Sequence, residues 1–326
     1  MDGSRQAAPP PLSGIAEGQG GRRCGQGETI LTAKAYELDG HSVEVSNPDK
    51  VLFPEDGITK SGLADYYARI AKIALPHYRD RPLTMQRFPD GIAEDGFFQK
   101  HAPEYFPDWI DRAEIAKEDG TVRHVLAHSA AALVYLADQG CITPHLGVAR
   151  ADRPERPDRL VFDLDPPDDD FSRVQEVAGA IRDRLDAGKI TSFVQTTGSR
   201  GLHIVVALRR TAGFDPLRRF MRGFAESVAR ALPDLATTQQ RKAQRGDRVL
   251  IDTFRTAYGQ TFVAPYAVRA RPGAPVATPV EWDEALSADM SPRKYNLKTI
   301  FRRLGQTEDP WHDIDDHAVD ARSLAG

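Results

Sequence analysis

The sequence predicts a mixed α/β (α+β) fold, in which a regular second half follows a smaller first half of short strands and helices. Three observations predict the second half. Apolar runs of strand length recur along it, two segments with helical spacing of apolar residues separate them, and one of those segments begins with Asp-Pro, a typical helix start. Together they give the element order β-α-β-β-α-β.

The elements of the second half follow in chain order. The first strand is apolar and β-prone and stops at Pro166 and Pro167. The predicted strands are Arg159–Asp165, Ser192–Thr197, Leu202–Leu208 and Arg248–Phe254, and the predicted helices are Phe171–Leu185 and Asp215–Leu232. This order is the split βαβ unit of ferredoxin-like and RNA-recognition folds.

The first half, residues 29–150, is predicted to be a smaller mixed α/β subdomain. A helix is expected at Thr59–Ile70, where apolar residues recur at spacings of three and four. A second helix is expected at Ser129–Ala137. The regular second half, residues 151–304, is the predicted catalytic subdomain.

Both ends of the chain differ in composition from the folded region at 29–304. Residues 1–28 are rich in Gly, Pro, Ala and Gln with little apolar content, which predicts disorder. Residues 305–326 are acidic, which predicts an irregular tail, with Trp311 as the candidate for docking back onto the fold.

Composition excludes several classes of protein. The 326 residues are 40% hydrophobic and 28% charged, which is typical of a soluble globular chain. No apolar run approaches the ~18 residues of a membrane span. Two cysteines, Cys24 and Cys141, are too few for a disulfide framework and fit a reducing cytoplasm. A net charge of −4 argues against a uniformly basic nucleic-acid binder but permits local basic patches.

The first strand of the second half carries two carboxylates on one face. Side chains at i and i+2 of a strand share a face, so Asp163 and Asp165 stand side by side, with Phe162 and Leu164 opposite. Two charges ~5 Å apart repel by roughly 3 kcal/mol at an effective dielectric of ~20. A divalent cation converts this repulsion into a ligand set. The alternative is a strand that ends in a solvated acidic turn, and the strand by itself leaves both open.

Strand order adds a third carboxylate. In the split βαβ topology the first and third strands are central and the fourth lies beside the first. Asp252 on the fourth strand is then a neighbour of Asp163 and Asp165, and His203 on the third strand flanks them from the other side. Three carboxylates on adjacent strands suit a two-metal site for phosphoryl displacement.

A glycine-containing turn separates the second and third strands. In Gly198-Ser199-Arg200-Gly201 the glycines let backbone amides approach a phosphate, and Ser199 and Arg200 add a hydroxyl and a charged donor. Taken alone, the segment is equally typical of an ordinary hairpin turn.

Basic and aromatic residues of the first half offer further contacts. Lys50 and Lys60 bracket a short segment and form a candidate phosphate pocket, although exposed lysines are commonly just solvated. Phe97 and Phe98 adjoin basic residues, a combination that suits stacking on nucleic-acid bases, with core packing as the alternative.

Four motifs together resemble one family. They are Asn47–Pro54, the strand Phe162–Pro166, the turn Thr197–His203 and the segment Ala264–Gly273. With them the chain resembles, from about Val43 to Leu304, the polymerase domain of bacterial DNA ligase D. That domain is a member of the archaeo-eukaryotic primase superfamily and serves non-homologous end joining.

The resemblance implies an activity and a site. It implies an archaeo-eukaryotic primase-like fold and template-directed nucleotidyl transfer, in gap filling and end extension, with a preference for ribonucleotides. It implies two metal ions, Mn²⁺ (usually favoured) or Mg²⁺, held by Asp163, Asp165 and Asp252. It implies a nucleoside triphosphate site lined by His145, Thr197, Gly198, Ser199, Arg200, His203, Arg245 and Arg269.

The resemblance also implies partners. Lys50 and Lys60 match residues that grip the 5′-phosphate of a gapped or broken DNA end, and Phe97 and Phe98 match aromatics that stack on DNA. A Ku protein and a separate ATP-dependent DNA ligase are candidate partners, and the expected location is the cytoplasm, at the nucleoid, without membrane contact. The chain has no match to the lysine motif of a ligase domain, so a stand-alone polymerase module is expected.

The chain departs from the family pattern at two positions. The family usually has Ser where this chain has Thr197, and Lys where it has Arg200. Each pair keeps a hydroxyl or a positive charge, but Arg presents a planar fork rather than a point charge. We therefore expect altered nucleotide affinity with unchanged chemistry.

Two other functions compete with this one. A haloacid-dehalogenase-type phosphatase also places its nucleophile on an Asp-x-Asp strand, but Pro166 stands where Thr or Val normally follows the second acid. A non-catalytic nucleic-acid-binding module on the same sheet needs stacking aromatics on its central strands, where this chain has acids and His203.

Overall fold

The structure is a computed structural model that describes residues 33–325, so the predicted disordered segment 1–28 lies outside the described residues. The first described elements are four short strands and a long helix. They are β1 (Ala33–Leu38), β2 (His41–Ser46), β3 (Val51–Phe53), β4 (Ile58–Thr59) and α1 (Lys60–Tyr78). β1 pairs with β2 and β3 pairs with β4, both antiparallel.

The predicted helix at Thr59–Ile70 is correct in kind and start but too short. Thr59 is the N-cap, and its side-chain oxygen accepts a hydrogen bond from Gly62 N–H. The helix continues to Tyr78 because buried side chains still recur at Ala74 and Tyr78 on the same face.

A six-stranded sheet forms the rest of the first half. The elements of this part of the chain are β5 (Leu83–Arg87), β6 (Phe97–Gln99), β7 (Arg112–Lys117), β8 (Gly120–Val125), the helix α2 (Ala130–Asp138) and β9 (Cys141–Gly147). The helix predicted at Ser129–Ala137 is confirmed within one residue at each end, with Ser129 as its N-cap.

The second half contains the predicted β-α-β-β-α-β unit. Its elements are β10 (Arg159–Asp165), α3 (Phe171–Ala187), β11 (Phe193–Thr196), β12 (Leu202–Arg209), α4 (Phe214–Ala231), β13 (Ala236–Thr237) and β14 (Val249–Asp252). β10 lies between β12 and β14 and is antiparallel to both, as the split βαβ topology predicts. The fold class is therefore confirmed.

The two faces of β10 pack against different layers. Leu160, Phe162 and Leu164 are fully buried in a cluster with apolar residues of α3 and α4. Val161 points the other way, into a cluster shared with the first half of the chain. Because side chains alternate along a strand, Asp163 and Asp165 continue the Val161 face and look away from the helices.

The chain after β14 crosses between the two sheets. The remaining elements are β15 (Thr261–Val263), β16 (Pro279–Val280), α5 (Trp282–Ala285), α6 (Ile300–Leu304), β17 (Val319–Asp320) and α7 (Ala321–Ala325). β15 pairs with β9 and so belongs to the sheet of the first half, whereas β16 and β17 extend the second sheet. The sheet of the first predicted subdomain, 29–150, therefore includes one strand from the second predicted subdomain, 151–304.

The acidic tail is ordered in the structure, which corrects the predicted irregular segment at 305–326. Trp311 is 2% exposed, and its indole N–H donates to Val194 O at 3.2 Å. Asp315 pairs with Arg150 at 2.8 Å and with Arg159. The acidic composition predicts a solvated segment, but the segment also carries a few apolar residues whose burial is sufficient to dock it.

Among the described residues, no helix combines the length and the apolar character that crossing a lipid bilayer requires.

Candidate active site

Three aspartates lie together where β10 and β14 run side by side. Asp163 on β10 is the direct antiparallel partner of Asp252 on β14, and Asp165 is two residues further along β10 on the same face. All three line a cleft of about 380 Å³. The structure thus brings together the three carboxylates that strand order predicts.

Each carboxylate contacts donors, most of them cationic. Asp163 is 3.1 Å from Arg255 Nε and 3.5 Å from His203 Nε2. Asp165 is 3.4 Å from Arg200 and 3.3 Å from Arg245. These contacts are longer than the usual charge-assisted hydrogen bond of ~2.8 Å, so the donors hold the carboxylates loosely.

The pKa values of the facing pair move in opposite directions. Burial raises the pKa of Asp163, but the His203 ring and the Arg255 guanidinium outweigh it and lower the value to about 2. Burial raises the pKa of Asp252, and the charge of Asp163 raises it further. The two facing carboxylates therefore repel each other, and a cation that bound both would relieve the repulsion.

The residues present fit a divalent cation. Their oxygens are hard donors of the type that Mn²⁺ and Mg²⁺ prefer. The arginine guanidinium groups lie where a bound cation would place its positive charge. Within residues 33–325, no three His, Cys, Asp or Glu side chains already form a close ligand cluster. Binding would therefore require Arg200, Arg245 and Arg255 to release the carboxylates.

His203 is fixed in one orientation by a buried amide. Gln195 Nε2 lies 3.1 Å from His203 Nδ1 and 3.1 Å from Val263 O. A carbonyl oxygen can only accept, so the amide nitrogen is the donor to both, and the remaining ring proton lies on Nε2, facing Asp163. Gln195 carries no sequence signal for this role, since it sits within an ordinary strand.

The predicted phosphate turn is a tight hairpin connection between β11 and β12. Gly198 has φ +63°, and a Cβ added at Gly201 would lie 1.7 Å from Leu164 O, so both positions require glycine. Thr197 Oγ1 accepts from Ser199 N–H at 3.3 Å and from Gly201 N–H at 3.2 Å. The Thr197 hydroxyl therefore organises the turn.

The cleft beside the turn is strongly cationic. Arg269 donates to Thr197 O at 2.8 Å, and burial together with the neighbouring Arg271 lowers its pKa to about 10. Arg200 and Arg271 line the same cleft. Guanidinium groups that face a common space offer planar donors for a polyphosphate.

His145 lines the cleft from the sheet of the first half, with Phe98 packed against it. His145 Nε2 is buried and has no hydrogen-bond partner among the described residues. Burial, followed by the charge of Arg269, lowers the pKa of His145 well below its ordinary value. The Phe98 ring packs edge-on against this imidazole at 5.3 Å. His145 is therefore a neutral group with an unused polar atom at the cleft.

The two phenylalanines of β6 are exposed, which contradicts the core-packing alternative. Phe97 is 46% and Phe98 61% accessible, and Arg87 lies over the Phe97 ring at 5.6 Å. Exposed adjacent aromatics beside a cation are typical of a surface that stacks on bases.

The predicted lysine pair lies in the first half of the chain, outside the cleft. Lys50 pairs with Asp90 at 2.6 Å. Lys60 is buried and donates to Asp138 at 2.7 Å and to Ser46 at 3.0 Å. The structure brings the two lysines together through a backbone hydrogen bond from Lys60 N–H to Lys50 O at 2.8 Å.

Sequence reasoning missed three polar residues of the cleft, Arg255, Gln240 and Arg271. It also missed the buried Gln195 behind them, which contacts His203. Gln240 precedes β14 and Arg255 follows it, and both lie in loops whose sequence shows no recurring spacing. Gln240 Nε2 lies 3.4 Å from Asp252, a contact that only the strand pairing creates.

Comparison with known proteins identifies the family to which the chain is similar. The profile of the family described as "LigD, primase-polymerase domain" matches residues 59–311. The multifunctional non-homologous end joining protein LigD of Pseudomonas aeruginosa is 33% identical over 316 residues, which are 96% of this chain and 36% of that protein. The bifunctional LigD of Bacillus subtilis is 28% identical over 83% of this chain and 44% of its own length.

A solved structure agrees as well. The polymerase domain from Mycobacterium tuberculosis ligase D, in complex with DNA, superposes with a TM-score of 0.79 at 31% identity, covering 85% of this chain and 99% of that one. The fold is that of the ligase D polymerase domain. The chain belongs to the LigD primase-polymerase domain family. It spans little more than a third of the length of the Pseudomonas relative.

Proposed function

We propose that this chain catalyses template-directed nucleotidyl transfer at DNA gaps and broken ends, preferring ribonucleotides, in bacterial non-homologous end joining. The observation that carries the proposal is the juxtaposition of Asp163 and Asp252 across one strand pair, with Asp165 beside them in a cationic cleft. Family membership supports it and sets aside the phosphatase and the non-catalytic module.

Asp163, Asp165 and Asp252 would hold two divalent ions, with Mn²⁺ or Mg²⁺ as candidates. When bound, the ions would supply the positive charge that lowers the pKa of the primer 3′-hydroxyl and stabilises the leaving pyrophosphate. The specific ion and the two-ion stoichiometry are part of the proposal.

The chain's own residues would position the nucleotide. Arg200 and Arg245, released from Asp165, would then face the triphosphate, as would Arg269 and the Ser199 hydroxyl. Fixed cations in a partly dry cleft offset the charge that develops on the leaving oxygens at little reorganisation cost. His145, neutral and with no partner at Nε2 among residues 33–325, would accept from or donate to the nucleotide sugar.

The proposed surroundings include a broken DNA end with a 5′-phosphate, bound by Lys50 and Lys60, and bases stacked on Phe97 and Phe98. A Ku protein and an ATP-dependent DNA ligase are proposed as partners, with action at the nucleoid in the cytoplasm. The solved relative, a polymerase domain in complex with DNA, supports the DNA part of this proposal.

Primer extension on gapped DNA tests the proposal. The wild-type chain should extend the primer, faster with Mn²⁺ than with Mg²⁺ and faster with ribo- than with deoxynucleotides. Asp163→Ala and Asp165→Ala should each abolish extension because the ion loses a ligand, while anisotropy reports nearly unchanged binding to the gapped duplex. Asp168→Ala, in the exposed loop after β10, is the matched control. Appreciable extension by either β10 variant would remove the aspartates from the mechanism.

A further inference from the structure

A second pocket borders the catalytic cleft on the far side of Asp252. Its volume is about 230 Å³, and Gln240 lines both spaces. The pocket lies between α4 and the chain that leaves β14. Its polar and aromatic lining consists of Arg218, Arg222, Glu226, Thr238, Gln240, Thr253 and Phe254.

Two arginines on α4 give this pocket its charge. Arg218 and Arg222 are one turn apart, so they share a face of the helix. Within residues 33–325, neither makes an ion pair or a side-chain hydrogen bond, unlike Arg200, Arg245 and Arg255 of the cleft. One acidic side chain, Glu226, lines the pocket beside them. The pocket therefore keeps a net positive charge without an internal partner.

An exposed aromatic ring stands at the mouth of the pocket. Phe254 is 52% accessible, although it follows a buried strand by only two residues. Its backbone N–H donates to Asp252 Oδ1 at 2.8 Å, which ties the position of the ring to the carboxylate site. Exposed aromatic rings next to guanidinium groups are the pattern of single-strand binding surfaces, in which bases stack and phosphates are neutralised.

The strand register places this pocket opposite the triphosphate end of the cleft. The Gly198 turn and Arg200 lie beyond Asp165, at the carboxyl end of β10. The chain after Asp252 runs the other way along β10, as the hydrogen bond from Val161 N–H to Thr256 Oγ1 at 3.0 Å records. Along β10 the carboxylates therefore stand between the two regions. The pocket opens on the helix-facing side of β14, with Ile251 and Thr253, and adjoins the cleft at Gln240.

An in-line displacement needs this arrangement. The attacking hydroxyl and the leaving pyrophosphate must lie on opposite sides of the α-phosphorus. If the leaving group faces Arg200 and Arg269, the strand that carries the 3′-hydroxyl arrives from the side of Asp252 and Phe254.

We propose that Arg218, Arg222 and Phe254 form a primer-strand surface: the two arginines bind phosphodiesters of the DNA strand whose 3′ end enters the cleft, and the Phe254 ring stacks on one of its nucleotides. This inference rests on the proposed function, since it assumes that a 3′-hydroxyl is the nucleophile at the three aspartates. It assigns this surface to the primer strand and the opposite end of the cleft to the incoming nucleotide.

The test compares three variants in primer extension. Arg218→Ala/Arg222→Ala should raise the KM for the primer–template at least tenfold, because two phosphate contacts are lost, and should lower the salt slope of binding by about 1 to 2. Phe254→Ala should raise the same KM about five- to a hundredfold, as loss of one stacked base does, with rescue by Phe254→Tyr. The KM for the nucleotide should stay within twofold.

Arg219→Ala is the matched control, since Arg219 is exposed on the same helix and lies outside the pocket. Equal KM values for the double variant, the control and the wild type would overturn the surface, as would a control that loses as much as the double variant. Arg222→Ala alone, at an exposed position, replaces the double variant if the latter melts at lower temperature. Anisotropy with a labelled primer duplex reports on the surface even if wild type extends nothing, an outcome that would sink the proposed function instead.

Discussion

Lys60 combines burial with charge because its partners are built into the fold. Its side chain is about one-tenth exposed, and so is that of Asp138, with which it pairs at 2.7 Å. Lys50, in contrast, pairs at the surface with Asp90, whose side chain is 71% exposed. A surface pair of this kind is worth little, typically below ~1 kcal/mol, so Lys50 can exchange its partner for a phosphate at low cost.

We therefore expect Lys50 to govern the proposed 5′-phosphate preference. Lys50→Ala should bring extension of gaps with a 5′-phosphate and gaps with a 5′-hydroxyl to nearly equal rates, with the melting temperature unchanged. Asp90→Asn, which removes the competing carboxylate, should increase the preference. The measurement is the ratio of the two extension rates under identical salt. A Lys50→Ala ratio equal to that of wild type would exclude this lysine from the phosphate site.

The strand that carries Asp163 and Asp165 is anchored at its other end by a buried ion pair. Arg81, between α1 and β5, makes two hydrogen bonds of 2.7 Å to Asp158, which immediately precedes β10. Arg150 adds a third bond to Asp158 at 2.9 Å. Burial raises the pKa of Asp158, but Arg81 and Arg159 outweigh it and hold the pKa well below its usual range. This cluster joins the first half of the chain to β10.

Removing the anchor should cost stability in a pH-dependent way. Asp158→Asn leaves the buried Arg81 charge unpaired, which costs about 3–5 kcal/mol in free energy of unfolding at pH 7. A carboxyl whose folded pKa is depressed contributes stability above its unfolded pKa of ~3.9, and this is lost as pH falls toward the folded value. Denaturant unfolding between pH 7 and pH 3 should therefore give a flatter profile for the variant than for wild type.

The control for the anchor is Asp108→Asn, since the Asp108 side chain is fully exposed and 4.0 Å from Arg112. It should unfold as wild type does across the same pH range. An Asp158→Asn protein within 1 kcal/mol of wild type at pH 7 would contradict the anchoring role.

At the scale of elements, the sequence was most informative where local pattern and tertiary contacts agree. β10 has its predicted bounds, Arg159–Asp165, because an apolar run ended by prolines leaves little freedom. Helix ends were less accurate: α1 runs on to Tyr78 with Pro76 in its last turn. The docking of Trp311 was expected, but the regular elements of the tail were not, because one buried aromatic without periodic neighbours decides how the segment packs.

At the scale of the whole molecule, two sheets share the site. The second sheet supplies the carboxylates and the turn, whereas His145 on β9 and Phe98 on β6 come from the first. β15 pairs with β9, so Val263 lies opposite His145 on the neighbouring strand. The Val263 carbonyl oxygen also accepts a hydrogen bond from Gln195, the residue that contacts His203.

Topology predicted from the sequence was sufficient to gather Asp163, Asp165 and Asp252, since strand order follows from a known supersecondary unit. The counter-charges were not predictable in this way. Arg255 reaches Asp163 from a loop, and its position depends on packing between segments 92 residues apart. Local sequence carries no record of such contacts.

Single-turnover incorporation of one ribonucleotide into a gapped duplex, comparing wild type with Asp252→Asn, tests the central claim most directly. Asp252 was placed in the site by strand order alone, and Asn keeps its shape while removing the negative charge that a cation needs. The account predicts a loss of at least a thousandfold in the incorporation rate, equivalent to about 4 kcal/mol, with duplex affinity within twofold of wild type. A variant that retains a tenth or more of the wild-type rate would contradict it.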